Sequence, residues 1–158
     1  MSPLIENLDV LELEDMPGFR IRRLQQIAVA IFLEEAQGFD ITPAQFSAMK
    51  AIQREPGLDQ RTLAGRIGFD TSTLGSVIDG LEACWLVVRN TSPTDRRVRL
   101  LTLSPHGVDL LQQIDPHMRQ AQLRMLAPLS AKQRSDFMDA LQILIDANNV
   151  FSRAPIKS

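Results

Sequence analysis

The sequence predicts a mainly α fold with a small β-hairpin wing (α+β): a winged helix-turn-helix lobe plus N- and C-terminal dimerisation helices. Three observations point there. Asp59 and Asp70 each stand where a side chain caps the start of a short helix, and Gly68 between them supplies the permissive backbone of a tight helix-to-helix turn. Leu86–Arg89 and Val98–Leu103 are strand-like runs around the turn signal Pro93-Thr94-Asp95. Apolar stripes at helical spacing occupy both chain ends, more than a small lobe needs for its own core.

The first helix is marked by Asp15 and Pro17, and Ile21, Leu24, Ile27, Ala28 and Ile31 carry its stripe toward Gly38. Thr42-Pro43-Ala44-Gln45 is a capping box with proline at the first helical position, and Phe46, Met49 and Ile52 follow before Pro56-Gly57 ends the helix. Leu58 and Leu63 staple the start at Asp59; Phe69 and Leu74 do the same at Asp70. On the second of these helices Leu74, Val77, Ile78 and Leu81 are expected to face the core, leaving Thr71, Ser72, Thr73, Ser76 and Asp79 outside. Ser104-Pro105 opens a helix through Val108, Leu111, Ile114, Met118 and Met125 to Pro128, with a kink expected at Pro116, which cannot donate an internal hydrogen bond. Ser130 to Gln133 forms a second capping box, and Phe137, Leu141, Leu144 and Ile145 line the last helix. Ser152 to Ser158 reads as a frayed tail. The expected organisation is therefore 1–38 arm and first dimerisation helix, 39–104 winged lobe, 105–158 C-terminal dimerisation helices and tail.

At 158 residues the chain suits one compact unit, and its net charge of −2 at first argues against a nucleic-acid partner. The distribution argues the other way. Glu6, Asp9, Glu12, Glu14, Asp15, Glu34 and Glu35 outweigh Arg20, Arg22 and Arg23 up to Gly38, whereas Arg89, Arg96, Arg97 and Arg99 face a single acid, Asp95, in the hairpin. A local positive patch is what phosphate contact requires. A single cysteine, Cys84, excludes an internal disulfide and a thiolate zinc site, and His106 and His117 are too far apart on one helix to be neighbouring ligands. No metal and no cofactor is expected. The chain has no tyrosine, no glycine-rich phosphate loop and no nucleophile elbow, so an enzyme reading has little to stand on. No signal-like start and no apolar run of bilayer-crossing length is present; a cytoplasmic protein without a membrane partner is expected.

Guanidiniums on a projecting hairpin suit phosphate oxygens or a narrow minor groove, and short hydroxyls at a helix N-terminus suit phosphates or base edges. The candidate DNA contacts are Arg61, Thr71, Ser72, Thr73, Ser76, Asp95, Arg96 and Arg97. Serine and threonine also favour the first turn of a helix for purely local reasons, which is the competing reading of each hydroxyl. A winged helix can instead dock proteins through the same surface. Cys84 beside the recognition helix admits a thiol-based redox reading, against which stands a small buried hydrophobe.

The order of capped helix, helix-turn-helix, Leu81 to Leu86-Val87-x-Arg89, Asp95-Arg96-Arg97 and Leu103 to Gly107 resembles the MarR (multiple antibiotic resistance regulator) family of bacterial transcription factors, over about Pro17 to Val150. The resemblance implies a homodimer that binds a near-palindromic double-stranded DNA operator, usually as a repressor, and is released by a small aromatic or phenolic acid held between lobe and dimer helices. It places the recognition helix on Thr71 to Glu82 and the wing motif on Asp95, Arg96 and Arg97, with one arginine in the minor groove and Asp95 steadying its neighbour. The candidate effector contacts are Arg20, Arg23, Gln26, Met49 and His106, a guanidinium beside apolar surface being what an aromatic carboxylate needs. Trp85 could line the same cleft, with core packing the default for it and for Met49. The chain departs from the family pattern at Trp85, where glycine is usual, and at Ser76 and Gly80, where long polar residues are common. A non-glycine at Trp85 must avoid the left-handed conformation or cost about 1 kcal/mol or more. Specificity then leans on hydroxyls, the wing and DNA shape.

Overall fold

The computed structural model describes residues 11–152; Glu6, Asp9 and the tail beyond Ser152 lie outside the described residues. Among the described residues, a 3-10 turn at Leu13–Asp15 is followed by six α-helices and one hairpin, α1 (Pro17–Glu35), α2 (Pro43–Arg54), α3 (Gln60–Ile67), α4 (Thr71–Ala83), β1 (Val87–Thr91), β2 (Arg99–Leu103), α5 (Pro105–Leu126) and α6 (Ala131–Asn148), and by a second 3-10 turn at Asn149–Phe151. Among the described residues no helix is long and apolar enough to cross a membrane.

Local chemistry sets most boundaries. Both capping boxes form: Thr42 and Gln45 exchange side-chain and backbone bonds at α2, and Ser130 and Gln133 do so at α6. Asp59 accepts the Thr62 amide at 2.8 Å and Asp70 the Thr73 amide at 2.7 Å. Gly68 adopts φ 71°, the left-handed turn the helix pair requires. Pro116 sits inside α5, which continues as one helix from Pro105 to Leu126.

The core is one cluster in which α2 gives Ala48, Met49 and Ile52, α3 gives Leu63, α4 gives Leu74, Ile78 and Leu81, the hairpin gives Val87 and Leu101, and α5 gives Leu111 and Ile114. Burying each large aliphatic chain contributes about 1.5–3 kcal/mol. Val77 is only partly buried and Val108 lies at the surface, both further out than their helical spacing predicts. The strands pair antiparallel with Val87 opposite Leu103 and Thr91 opposite Arg99, so β1 runs two residues past Arg89. The turn after α2 adds a third edge: Gly57 donates to Leu101 O at 2.8 Å and Leu101 to Leu58 O at 2.9 Å.

One junction ties the lobe to α5. Trp85 takes the left-handed conformation, φ 60°, and completes a helix stop in which Leu86 donates to Leu81 O at 2.9 Å and Trp85 to Glu82 O at 3.0 Å. The strain that a tryptophan incurs there is accepted rather than avoided. Ser104 holds the turn: its hydroxyl donates to Trp85 O, its amide donates to Leu86 O at 3.0 Å, and its Oγ caps the Gly107 amide at 2.9 Å. Gly107 passes so close that a Cβ on it would lie 2.1 Å from Leu86 O. Trp85 itself is 80% exposed, which corrects the expectation of core packing, and Cys84 is likewise exposed rather than a buried hydrophobe.

Candidate nucleic-acid interface and effector cleft

At the start of α4 the caps sort the hydroxyls. Asp70 accepts the Thr73 hydroxyl at 2.9 Å as well as its amide, so Thr73 is committed to helix-start chemistry. Thr71, Ser72 and Ser76 are exposed. They retain open donors and acceptors. Asp59 repeats the device at α3, taking the Thr62 hydroxyl at 2.7 Å. Partial burial alone would raise its pKa, but the bonds from the Thr62 hydroxyl and amide outweigh that and hold it below the usual carboxylate value. Arg61, on the first turn of α3, is exposed.

The wing tip closes through Ser92, whose amide donates to Val98 O at 2.9 Å, and Asp95, whose carbonyl accepts the Val98 amide at 3.0 Å. Asp95 Oδ1 accepts the Arg97 amide at 3.0 Å and stands 3.4 Å from Arg97 Nε. The carboxylate thus shapes the turn that presents Arg97, whose side chain is 92% exposed. Arg96 is exposed beside it and pairs with no acid among the described residues. The other two hairpin arginines are engaged: Arg99 donates to Thr91 Oγ1, and Arg89 turns inward against α4. The projecting charge therefore rests on Arg96 and Arg97, half of what the sequence count places in the hairpin. Sequence reasoning missed the inward arginine, although strand alternation carries the signal: Arg89 shares a face with buried Val87.

A cleft of about 310 Å³ lies between α1, the end of α5 and α6, lined by Arg20, Ile21, Leu24, Gln25, Ala28, Met125, Phe137 and Leu141. It is small for a ligand pocket but nearly all apolar with one guanidinium at its wall. Arg20 Nε donates to Glu14 O at 2.7 Å, leaving the terminal nitrogens of the guanidinium available. Of the expected effector group, only Arg20 reaches this cleft. Arg23 is exposed with its guanidinium carbon 5.9 Å from the Phe19 ring centre, Gln26 is exposed, and His106 is exposed on the first turn of α5. Met49 is fully buried in the lobe core, a correction to its place among the effector contacts: its spacing made it core, and it has no surface to offer a ligand. Gln25, Met125, Phe137 and Leu141 were not foreseen as cleft residues, since the helices they join are far apart in sequence.

The terminal helices present a second, wider surface. No residue of α6 is buried, and Ile143, Leu144 and Ile145 are each more than half exposed, with Ile21 and Ile27 on α1 and Leu123 on α5 also uncovered.

Comparison with known proteins agrees with this geometry. A model of the MarR family matches residues 39–98. A Thauera aromatica protein named for transcriptional regulation of the hcr operon is 34% identical over 128 residues, 80% of this chain and 77% of that protein. Among solved structures, the transcriptional repressor CouR bound to a 23-mer DNA duplex superposes with a TM-score of 0.80 at 27% identity, covering 88% of this chain and 99% of CouR. BpsR of Bordetella bronchiseptica, whose DNA binding is regulated by 6-hydroxynicotinic acid, matches with a TM-score of 0.76 at 28% identity over 80% of this chain and 96% of BpsR.

Proposed function

The chain belongs to the MarR family of transcriptional regulators, not to an enzyme class, and from that premise we propose that it is a cytoplasmic homodimeric repressor that binds a near-palindromic operator and is released by a small aromatic acid. The observation that carries the DNA half of this reading is the pair of projecting wing arginines, Arg96 and Arg97, shaped by Asp95 and joined through the hairpin to a helix whose first turn offers Thr71 and Ser72, with Ser76 one turn on. CouR, similar in fold along the chain, is seen on duplex DNA. Arg61 adds a cation at the start of α3 for the backbone, and Thr73 serves the cap.

Dimerisation rests on the uncovered apolar residues of α1, α5 and α6, the kind of exposed surface that marks an interaction site. Two lobes, residues 39–104 of each copy, would then be held by segments 1–38 and 105–158 at the spacing that two half-sites require. For the effector, Arg20 at the α1–α5–α6 cleft suits a carboxylate and the apolar walls suit a ring, consistent with the hydroxynicotinic acid that regulates BpsR.

Duplexes selected from genomic fragments by the purified protein, titrated at graded salt, test the reading. Binding should weaken steeply as salt rises, and replacing Arg96 and Arg97 with alanine should cost more than about tenfold and flatten the slope by roughly one for each phosphate that is no longer neutralised. A slope unchanged by that double substitution removes both arginines from the interface.

A further inference from the structure

Arg89 is the one hairpin arginine that turns its back on the surface. Its side chain is 20% exposed, and it reaches from β1 along one face of the recognition helix: Nη1 lies 2.7 Å from Asp79 Oδ1 and 3.7 Å from Glu82 Oε1, and Nη2 donates to Gly75 O at 3.4 Å. Positions 75, 79 and 82 are spaced i, i+4, i+7, so a single guanidinium spans two turns of that helix. Its Nε is buried without a hydrogen-bond partner, alone in this among the described residues. An ordinary surface arginine would hydrate that N–H; burying it costs free energy that only a positional requirement justifies.

The helix it grips needs support. Thr71–Ala83 contains two glycines, Gly75 and Gly80, together with Thr71, Ser72, Thr73 and Ser76. Each of these is a poorer helix former than alanine, the glycines worst of all. The N-terminus is capped by Asp70, but the middle of the helix has only its packed face and this guanidinium to hold it. The same contact places a positive charge against Asp79 and Glu82, two carboxylates that would otherwise stand uncompensated on an element meant to approach phosphates.

We infer that Arg89 is a positioning residue for operator recognition: it does not touch DNA but locks the register and electrostatics of the recognition helix against the wing, so that hydroxyl side chains with little reach can read a specific sequence. The inference rests on the DNA-binding reading above. Its signature separates it from the wing arginines, because a strut affects discrimination while a phosphate contact affects all duplexes alike.

The test compares wild type, Arg89→Lys and Asp79→Asn on two probes, the tightest duplex recovered by selection with the wild-type dimer and a random duplex of equal length. Arg89→Lys keeps the charge but cannot fork across two turns. It should weaken the selected duplex by tenfold or more, leave the random duplex within about twofold, and leave the salt slope unchanged. Asp79→Asn should shift the same ratio in the same direction, and adding it to Arg89→Lys should cost little more, as two ends of one contact do. Hydrogen exchange in the DNA-free proteins gives an independent readout: amides of residues 76–83 should exchange faster in both variants, with those of α5 unaltered. Equal weakening on both duplexes with a shallower slope would make Arg89 a phosphate contact, and unchanged discrimination and exchange would make it a surface pair; either overturns the inference. Should Arg89→Lys fail to fold, Asp79→Asn carries the test by itself. Failure of the wild type to bind any duplex would instead overturn the functional reading, while the exchange result would still judge the strut.

Discussion

The winged lobe and the outward faces of the terminal helices are built from the same aliphatic residues and end in opposite states. In the lobe Ile52, Leu63, Leu74, Ile78 and Leu101 have no exposed surface, whereas on α6 Ile143 is 67% exposed and on α1 Ile21 is 55% exposed. The lobe completes its core within one chain. The terminal layer leaves its apolar face wet, a state stabilised only when a second surface covers it. The two regions meet at the turn where Trp85 and Leu86 bond to Ser104 and press on Gly107, and along the inner face of α5, where Leu111 and Ile114 join the lobe core; through these contacts a rearrangement of the dimer helices reaches the reading head.

The largest way to break this contrast is to charge the wet face. Ile143→Glu with Leu144→Glu should leave the lobe folded, since both side chains are more than half exposed within the chain, yet bury unpaired carboxylates in the dimer at a cost of about 3–5 kcal/mol. Sedimentation should then find single chains at concentrations where wild type is paired, with unchanged far-UV circular dichroism; a dimer of normal affinity would place the interface elsewhere. Next in size is Gly107→Ala. A methyl group 2.1 Å from Leu86 O must push backbone aside, and urea unfolding should show a destabilisation of about 3 kcal/mol. Gly65→Ala, with no atom within 4 Å of its Cβ position, is the matched control and should be neutral or gain up to about 1 kcal/mol. The smallest change is Trp85→Gly, which relieves a left-handed tryptophan that buries little. It should gain about 0.5–1 kcal/mol, the relief of strain being offset in part by a freer unfolded chain. A lowered melting temperature would mean that the indole makes a contact worth more than its strain.

Whatever depended on neighbours in sequence was legible. The caps at Thr42, Asp59, Asp70, Ser104 and Ser130, the left-handed Gly68 and the hairpin around Pro93 follow from chemistry within four residues of each site. Contacts between distant segments were not. Arg89 reads as one more wing cation until α4 is laid beside β1, and its partners Asp79 and Glu82 look like solvent-facing acids on their own helix. Met49 is legible as core by spacing and still fits the effector group on sequence alone, because a cleft joining helices far apart in sequence leaves no periodic signal. Trp85 runs against type: large aromatics are usually buried, but here the helix stop that the backbone requires fixes the side chain outward.

The central claim is that two lobes act together because the uncovered terminal helices pair. Light scattering of the protein alone and with its selected duplex, in dilute buffer and then at rising salt, measures this directly. The account predicts twice the 17.7 kDa chain mass when free, two chains on each duplex, and dissociation of DNA but not of the pair as salt increases. A stable 17.7 kDa species that leaves every duplex unbound in dilute buffer would contradict it.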